Sequence, residues 1–291
     1  MSEDHVYLSL VEEHEESDAR WAFGTGFEDP LYGIDVSVPA DLDAARLAAY
    51  CLALGDDALV IAQRLAQWCT CAPELEVEVA LANLGLDLLG QARMLYTRAG
   101  QVDGTGRGED AYAYFREASE FRNVRLAELP NGDFARSIAR LLLLSTWRLA
   151  VFGQLTGSPD PVLAAIAAKG VKELSYHREF AAEWTVRLGD GTEESHRRMQ
   201  LGLNQSAEYL GELFAARDDG FGPDPASVRA EVEQVLRQVA DAAGLELPQL
   251  PQLPTIAAAA DSGRNGRHTE HLAPLLAELQ SEARADPEAT W

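Results

Sequence analysis

Lysine is nearly absent from this chain of 291 residues; Lys169 and Lys172 are the only two. Lysine and arginine together number 24 against 47 acids, a formal net charge of −23. So little positive charge excludes nucleic acid and anionic membranes as partners, because both demand a basic surface. Cysteine is scarce as well. Cys51, Cys69 and Cys71 are odd in number and contain no C-x-x-C, which indicates idle thiols in a reducing compartment rather than a zinc site. No uninterrupted apolar run reaches the length of a membrane span; the richest, IARLLLLSTWRLAVF, is broken by Arg140 and Arg148. The opening MSEDHVYLSLVEEHEES lacks the basic and apolar regions of a signal peptide, and a cytoplasmic location is expected.

Strand patterns are equally few. VYLSL (6–10) and IDVSV (34–38) alternate, and both fall in an acidic N-terminal arm, residues 1–40. Residues 1–43 carry twelve acids against Arg20 alone, so the arm reads as solvated or draped over a partner, a neighbouring subunit or the bundle itself. Residues 41–291 read as helical almost throughout. Asp41 is placed to cap a helix running to about Cys69, and Pro73 to start a second that runs to about Ala99 through Val79, Ala82, Leu86 and Leu89. Glu74, Glu76 and Glu78 suit its positive end. After the glycine-rich QVDGTGRGED and one or two short helices over 111–128, Asp133 caps a third long helix, 134–155. Gly157, Ser158 and Pro159 turn into a fourth, 160–188, with Gly189 as its C-cap. Two hairpins with short links, joined by one long crossover, make an all-α, ferritin-like four-helix bundle, 41–188. Accessory helices over 193–291 follow: 193–217, 225–243 and 268–284.

A ferritin-like bundle raises the question of metal. A two-iron centre of this type takes a Glu from each of two helices and Glu-x-x-His from each of the others. The third helix here, FARSIARLLLLSTWRLAVFGQL, holds no acid and no histidine, and the second holds no histidine. The fourth carries Glu173-x-x-x-His177, one residue too wide, with Leu174 in the ligand's place. No functional two-iron site is expected. A polar stripe is still present: Asn83, Asp87 and Gln91 fall four apart on the second helix, and Lys169, Glu173 and His177 do so on the fourth. Unpaired buried charges are costly, so these groups are expected to meet one another. On one reading the Lys169 ammonium stands where metal cations would, neutralising Asp57, Asp87 or Glu173. On the other, Lys169, Lys172 and Glu173 form i, i+4 pairs on a solvated face. Glu193-x-x-His196 has metal-site spacing but opens a helix, and His268-Thr-Glu-His271 lacks a nearby third ligand; both favour structural roles. The GTGRG loop (104–108) follows a helix and lacks the Lys-Ser/Thr ending of a phosphate loop, and no serine lies in G-x-S-x-G.

At LGDDALVIAQRLAQWCTCAPELEVEVALANLGLDLLGQAR (54–93) a resemblance becomes specific. With EFRNVRLAELPNGDFARSIAR (120–140), KGVKELSYHREFAAEW (169–184), RLGDGT (187–192) and GRHTEHLAPLLAEL (266–279), it resembles the C subunits of bacterial phenylacetyl-CoA 1,2-epoxidases. The resemblance implies a ferritin-like fold without iron ligands and a structural role in aerobic phenylacetate breakdown. It further implies three partners: a homologous catalytic subunit (the A component) that carries the di-iron centre, a small B component and a reductase. No cofactor or catalytic residue is implied on this chain. Asp57, Asp87, Gln91, Lys169, Glu173 and His177 then read as vestigial metal-centre positions. Two readings of other classes stand beside it: a di-iron oxygenase subunit that is active in its own right, and a metal-free homo-oligomeric scaffold.

Overall fold

A computed structural model of the chain describes residue 31 and residues 33–215, 222–249 and 261–288. The N-terminal arm up to residue 30, with VYLSL and the expectation that it drapes over a partner, lies outside them. The chain divides into two units, Met1–Asp35 and Val36–Trp291. The described residues contain no strand; IDVSV (34–38) is irregular backbone with a bend at Ser37, because alternation alone does not make a strand.

Four long helices form the body of the second unit: α1 (Ala44–Ala66), α2 (Leu75–Val102), α5 (Phe134–Leu155) and α6 (Pro161–Gly189). The crossover between the hairpins holds two short ones, α3 (Glu109–Tyr114) and α4 (Arg125–Glu128). In the first hairpin Gly85 lies beside Leu65 and Tyr96 beside Gly55, so residue numbers rise on α2 as they fall on α1. In the second, Phe134 stacks edge-on against Trp184 at 5.0 Å, while Phe152 packs on Gly170. Both pairs therefore run antiparallel. The topology is ferritin-like.

Caps explain most of the boundaries. Asp133 accepts from the Arg136 amide and Asp160 from the Leu163 amide, fixing the starts of α5 and α6. At α1 the cap is Asp43, whose Oδ1 accepts from the amides of Ala45 and Arg46; Asp41 lies in the preceding turn. The helix ends at Ala66 rather than Cys69, because 67–72 form a tight turn in which Thr70 adopts φ 70°. Pro73 stays outside α2, which starts after Glu74. Gly189 is the last residue of α6 rather than a left-handed cap, and its hydrogen side chain serves packing. A Cβ there would lie 2.4 Å from the Ala243 carbonyl oxygen.

Two helices are central and two are peripheral. Nearly every residue of 53–62 on α1 and of 137–152 on α5 is buried, as a helix apolar on all sides should be. By length and mean hydropathy α5 could cross a membrane, but 89% of its most apolar window is buried inside the protein. The outer helix α2 buries Val77, Leu81, Leu84 and Leu88. The expected core positions Val79, Leu86 and Leu89 instead face outward, because this helix carries a second apolar stripe opposite the first.

The accessory part differs from expectation in detail. The fifth long helix stops early: α7 (Glu193–Ser206) gives way to a 3₁₀ turn and to α8 (Leu210–Leu213). Then come α9 (Pro225–Ala242) and α10, which starts at Leu272 rather than His268 (Leu272–Ala285). Helices α7 and α9 pack on α5 through Met199, Leu203, Ala240 and Ala243 against Ala135, Ile138 and Ala139.

Candidate functional site

Two adjacent aspartates sit at the middle of α1, and neither side chain is exposed to any degree. Ionised carboxylates buried this deeply need full sets of donors. Asp57 takes its set from three directions. Arg264, from the C-terminal segment, donates to both oxygens at 3.0 and 2.6 Å. The Val124 amide donates at 2.8 Å, and Arg148 of α5 stands 3.9 Å away. Asp56 faces the other way and accepts from Tyr96 at 2.6 Å, from the Arg122 amide at 2.7 Å and from the Arg116 guanidinium. The amides of residues 122 and 124 thus pin the crossover to the centre of the bundle.

The charges respond to these surroundings. Burial works against the Arg264 charge, but Asp57 outweighs it and holds the guanidinium above its ordinary value. Arg116 is raised in the same way by Asp56. Arg148 goes the other way: burial pulls it down to about 10, Asp57 opposes this and the like charge of Arg264 adds to it. Its Nε donates to Gln91 Oε1 at 3.0 Å and its Nη1 to the Leu54 carbonyl at 3.1 Å. Its Nη2 has no hydrogen-bond acceptor among the described residues; the guanidinium lies 4.5 Å from the Phe152 ring centroid, a contact suited to a desolvated cation.

From Arg148 the network continues outward. Gln91 Nε2 donates to Glu173 at 2.8 Å, and Glu173 also pairs with Lys169 one turn away. The structure therefore links Gln91, Lys169 and Glu173, and reaches Asp57 only through Arg148. The remaining two candidate positions, Asp87 and His177, form a contact of their own at 3.0 Å beside this network. Lys169 meets Glu173 and neither Asp57 nor Asp87; arginines hold Asp57 and His177 holds Asp87. The Lys169–Glu173 pair is an i, i+4 contact that is only partly solvated.

Tested as a metal centre, the donor set does not fit. Each candidate carboxylate is already engaged by a basic side chain, and two guanidinium groups occupy the space beside Asp57. Among the described residues no three His, Cys, Asp or Glu side chains gather in a metal-binding group. Chemically the arrangement is a charge-balanced polar core whose carboxylates are all committed to partners.

Comparison with known proteins assigns the chain to a family. A family model described as Phenylacetic acid catabolic protein matches residues 35–291. The chain belongs to that family. Among curated proteins, the C subunit of 1,2-phenylacetyl-CoA epoxidase from Escherichia coli (strain K12) is 43% identical over 253 residues, covering 84% of this chain and 99% of the relative.

In this member of the phenylacetic acid catabolic family, the remaining candidate residues serve structure. His268 places Nδ1 3.0 Å from Glu128 and Nε2 2.9 Å from the Phe121 carbonyl, so both ring nitrogens are engaged. Glu128, fully buried, also accepts from the Thr269 amide at 2.6 Å. His271 contributes its carbonyl to Arg64 at 3.4 Å. His196 Nδ1 lies 2.7 Å from the Gly189 carbonyl and serves the end of α6. Cys51 is buried, its thiol pushed up to about 12 by burial and by Asp160, while Cys69 and Cys71 are exposed. Sequence reasoning missed Arg116, Arg148 and Arg264 as partners of the aspartates. Arg148 and Arg140 both interrupt the most apolar run, which signals buried cations without saying which one meets the aspartates; Arg264 carries no local signal.

Proposed function

We propose that this chain is the non-catalytic structural subunit of a multicomponent phenylacetyl-CoA 1,2-epoxidase, acting in aerobic phenylacetate degradation. It supports a homologous catalytic subunit, the A component, which carries the di-iron centre, in an assembly with a small B component and a reductase. On this reading Asp57, Asp87, Gln91, Lys169, Glu173 and His177 are the trace of a metal centre, and no cofactor is held here. The observation that carries the proposal is the pair of guanidinium groups at the bundle centre, where Arg264 and Arg148 flank the Asp57 carboxylate. Fixed cations there do the neutralising that metal ions would do, and they do it without redox chemistry or an open coordination position.

What the chain contributes is a rigid surface. Burial of α1 and α5 on all sides, with the central carboxylates matched by guanidinium groups, favours a single packing of the four helices. The test is to purify the tagged protein from cells grown on phenylacetate and assay both iron and retained chains. The expected result is retention of the catalytic subunit, with iron stoichiometric with that partner alone. Iron bound in stoichiometric amount to this chain by itself would overturn the proposal.

A further inference from the structure

On the outer helix α2, Leu75 is 70% exposed, Val79 52%, Leu86 64% and Leu89 37%. At about 100° per residue these four positions fall on one side of the helix, opposite the buried Val77, Leu81, Leu84 and Leu88. The stripe extends over roughly 20 Å of helix. On the adjoining helix Tyr176 is 51% exposed, next to His177, whose ring bonds Asp87 of α2. An outer helix with apolar residues on two opposite faces has one face more than its own core uses, and a contiguous exposed patch of this kind marks an interaction surface.

Charge decides between occupants. Glu76 and Glu78 border the stripe at its N-terminal end, whereas Asp87, Lys169 and Arg93 near it are already held by His177, Glu173 and Glu109. In a self-pairing the acidic borders of two identical stripes would meet without a basic border to match them. A chain of net charge −23 therefore repels itself here. A partner presenting an apolar helix flanked by lysine or arginine matches the surface on both counts.

We infer that the Leu75–Leu89 face of α2 is the docking surface for a different protein chain, one offering an apolar helical stripe with a basic border. This rests on the structural-subunit reading above and identifies the occupant with the catalytic subunit of the same assembly. The test is co-expression of full-length chains, with a tag on this one used to capture the catalytic subunit. The double variant Val79→Gln/Leu86→Gln is expected to fold with an unchanged circular dichroism spectrum and to retain at least tenfold less of the catalytic subunit. Glu76→Gln/Glu78→Gln is expected to weaken capture at low salt and to flatten its salt dependence. Hydroxyl-radical footprinting of the unaltered complex, which needs no variant, should show Leu75, Val79, Leu86 and Leu89 protected relative to the free chain. Wild-type-level capture by the first variant, or an unprotected stripe in the complex, overturns the inference while leaving the structural-subunit reading standing. Failure of the unaltered chain to capture the catalytic subunit overturns both. A dimer of this chain alone that the Val79→Gln/Leu86→Gln variant abolishes would identify a second copy as the occupant and overturn the inference too.

Discussion

Between α2 and α6, Asp87 meets His177, and Lys169 meets Glu173; both carboxylates and the lysine keep partial access to water. Asp56 and Asp57 themselves have none, and the matching cations arrive from the crossover, from α5 and from the C-terminal segment. The outer seam is made of side chains a helical turn apart or on facing helices. The inner cluster draws its cations from 60 to 207 residues away. The two places use charge for different ends. At the Lys169–Glu173 pair solvent can replace a lost partner, so that contact adds little. In the cluster nothing can replace it, so each partner is a condition for burying the other.

That contrast is tested most sharply at Asp57. Asp57→Ala leaves two guanidinium groups without their carboxylate and is expected to destabilise the fold by about 3–5 kcal/mol in urea unfolding. Arg264→Ala should cost about as much, and the double variant clearly less than the sum. Next comes Arg148→Met, which leaves Gln91 Oε1 without its donor and takes the second bond from the Leu54 carbonyl; about 1–3 kcal/mol is expected. A smaller, pH-dependent effect belongs to His268. Burial opposes its charge, but Glu128 and the Phe121 carbonyl outweigh this and raise its pKa above 6.5, with Glu212 adding to the rise. The imidazolium therefore stabilises the fold in full below pH 6.5, and that contribution is lost as pH rises through the raised value. Melting temperatures of wild type and His268→Gln should converge across that interval. Smallest of all is Lys169→Met at the seam, expected to cost less than about 1 kcal/mol. A Lys169→Met cost equal to that of Asp57→Ala would erase the distinction between the two regions.

The same division explains which features were legible in the sequence. Helix starts at Asp133 and Asp160 follow from side chains that act three residues away, and hairpin pairing follows from short links; both are local. The seam's two polar stripes, Asp87 with Gln91 and Lys169 with Glu173 and His177, are legible as polar residues four apart on apolar helices; that Asp87 meets His177 is not. The core face of α2 was misassigned because Val79, Leu86 and Leu89 repeat with the same period as Leu81, Leu84 and Leu88, and periodicity does not say which stripe is covered. Asp57 could be recognised as needing a cation, but no pattern connects it to Arg264, which lies in a 3₁₀ turn (Gly263–Asn265) with no periodic context. Asp43 displaced Asp41 as the α1 cap for a subtler reason: two caps of the same type stood two residues apart.

The separation of Asp57 from Arg264 has a consequence for how the protein is made. A ribosome working at roughly 5–20 residues per second delivers the arginine about 10–40 s after the aspartate. Through the later part of that time all four long helices exist while their central carboxylate still awaits its bidentate partner. A message truncated between codons 190 and 264 thus yields the four helices with Asp57 held by the Val124 amide and beside Arg148, but without its bidentate partner. A bundle weakened by that loss opens more often than the full chain does, and proteolysis follows the population of the open form.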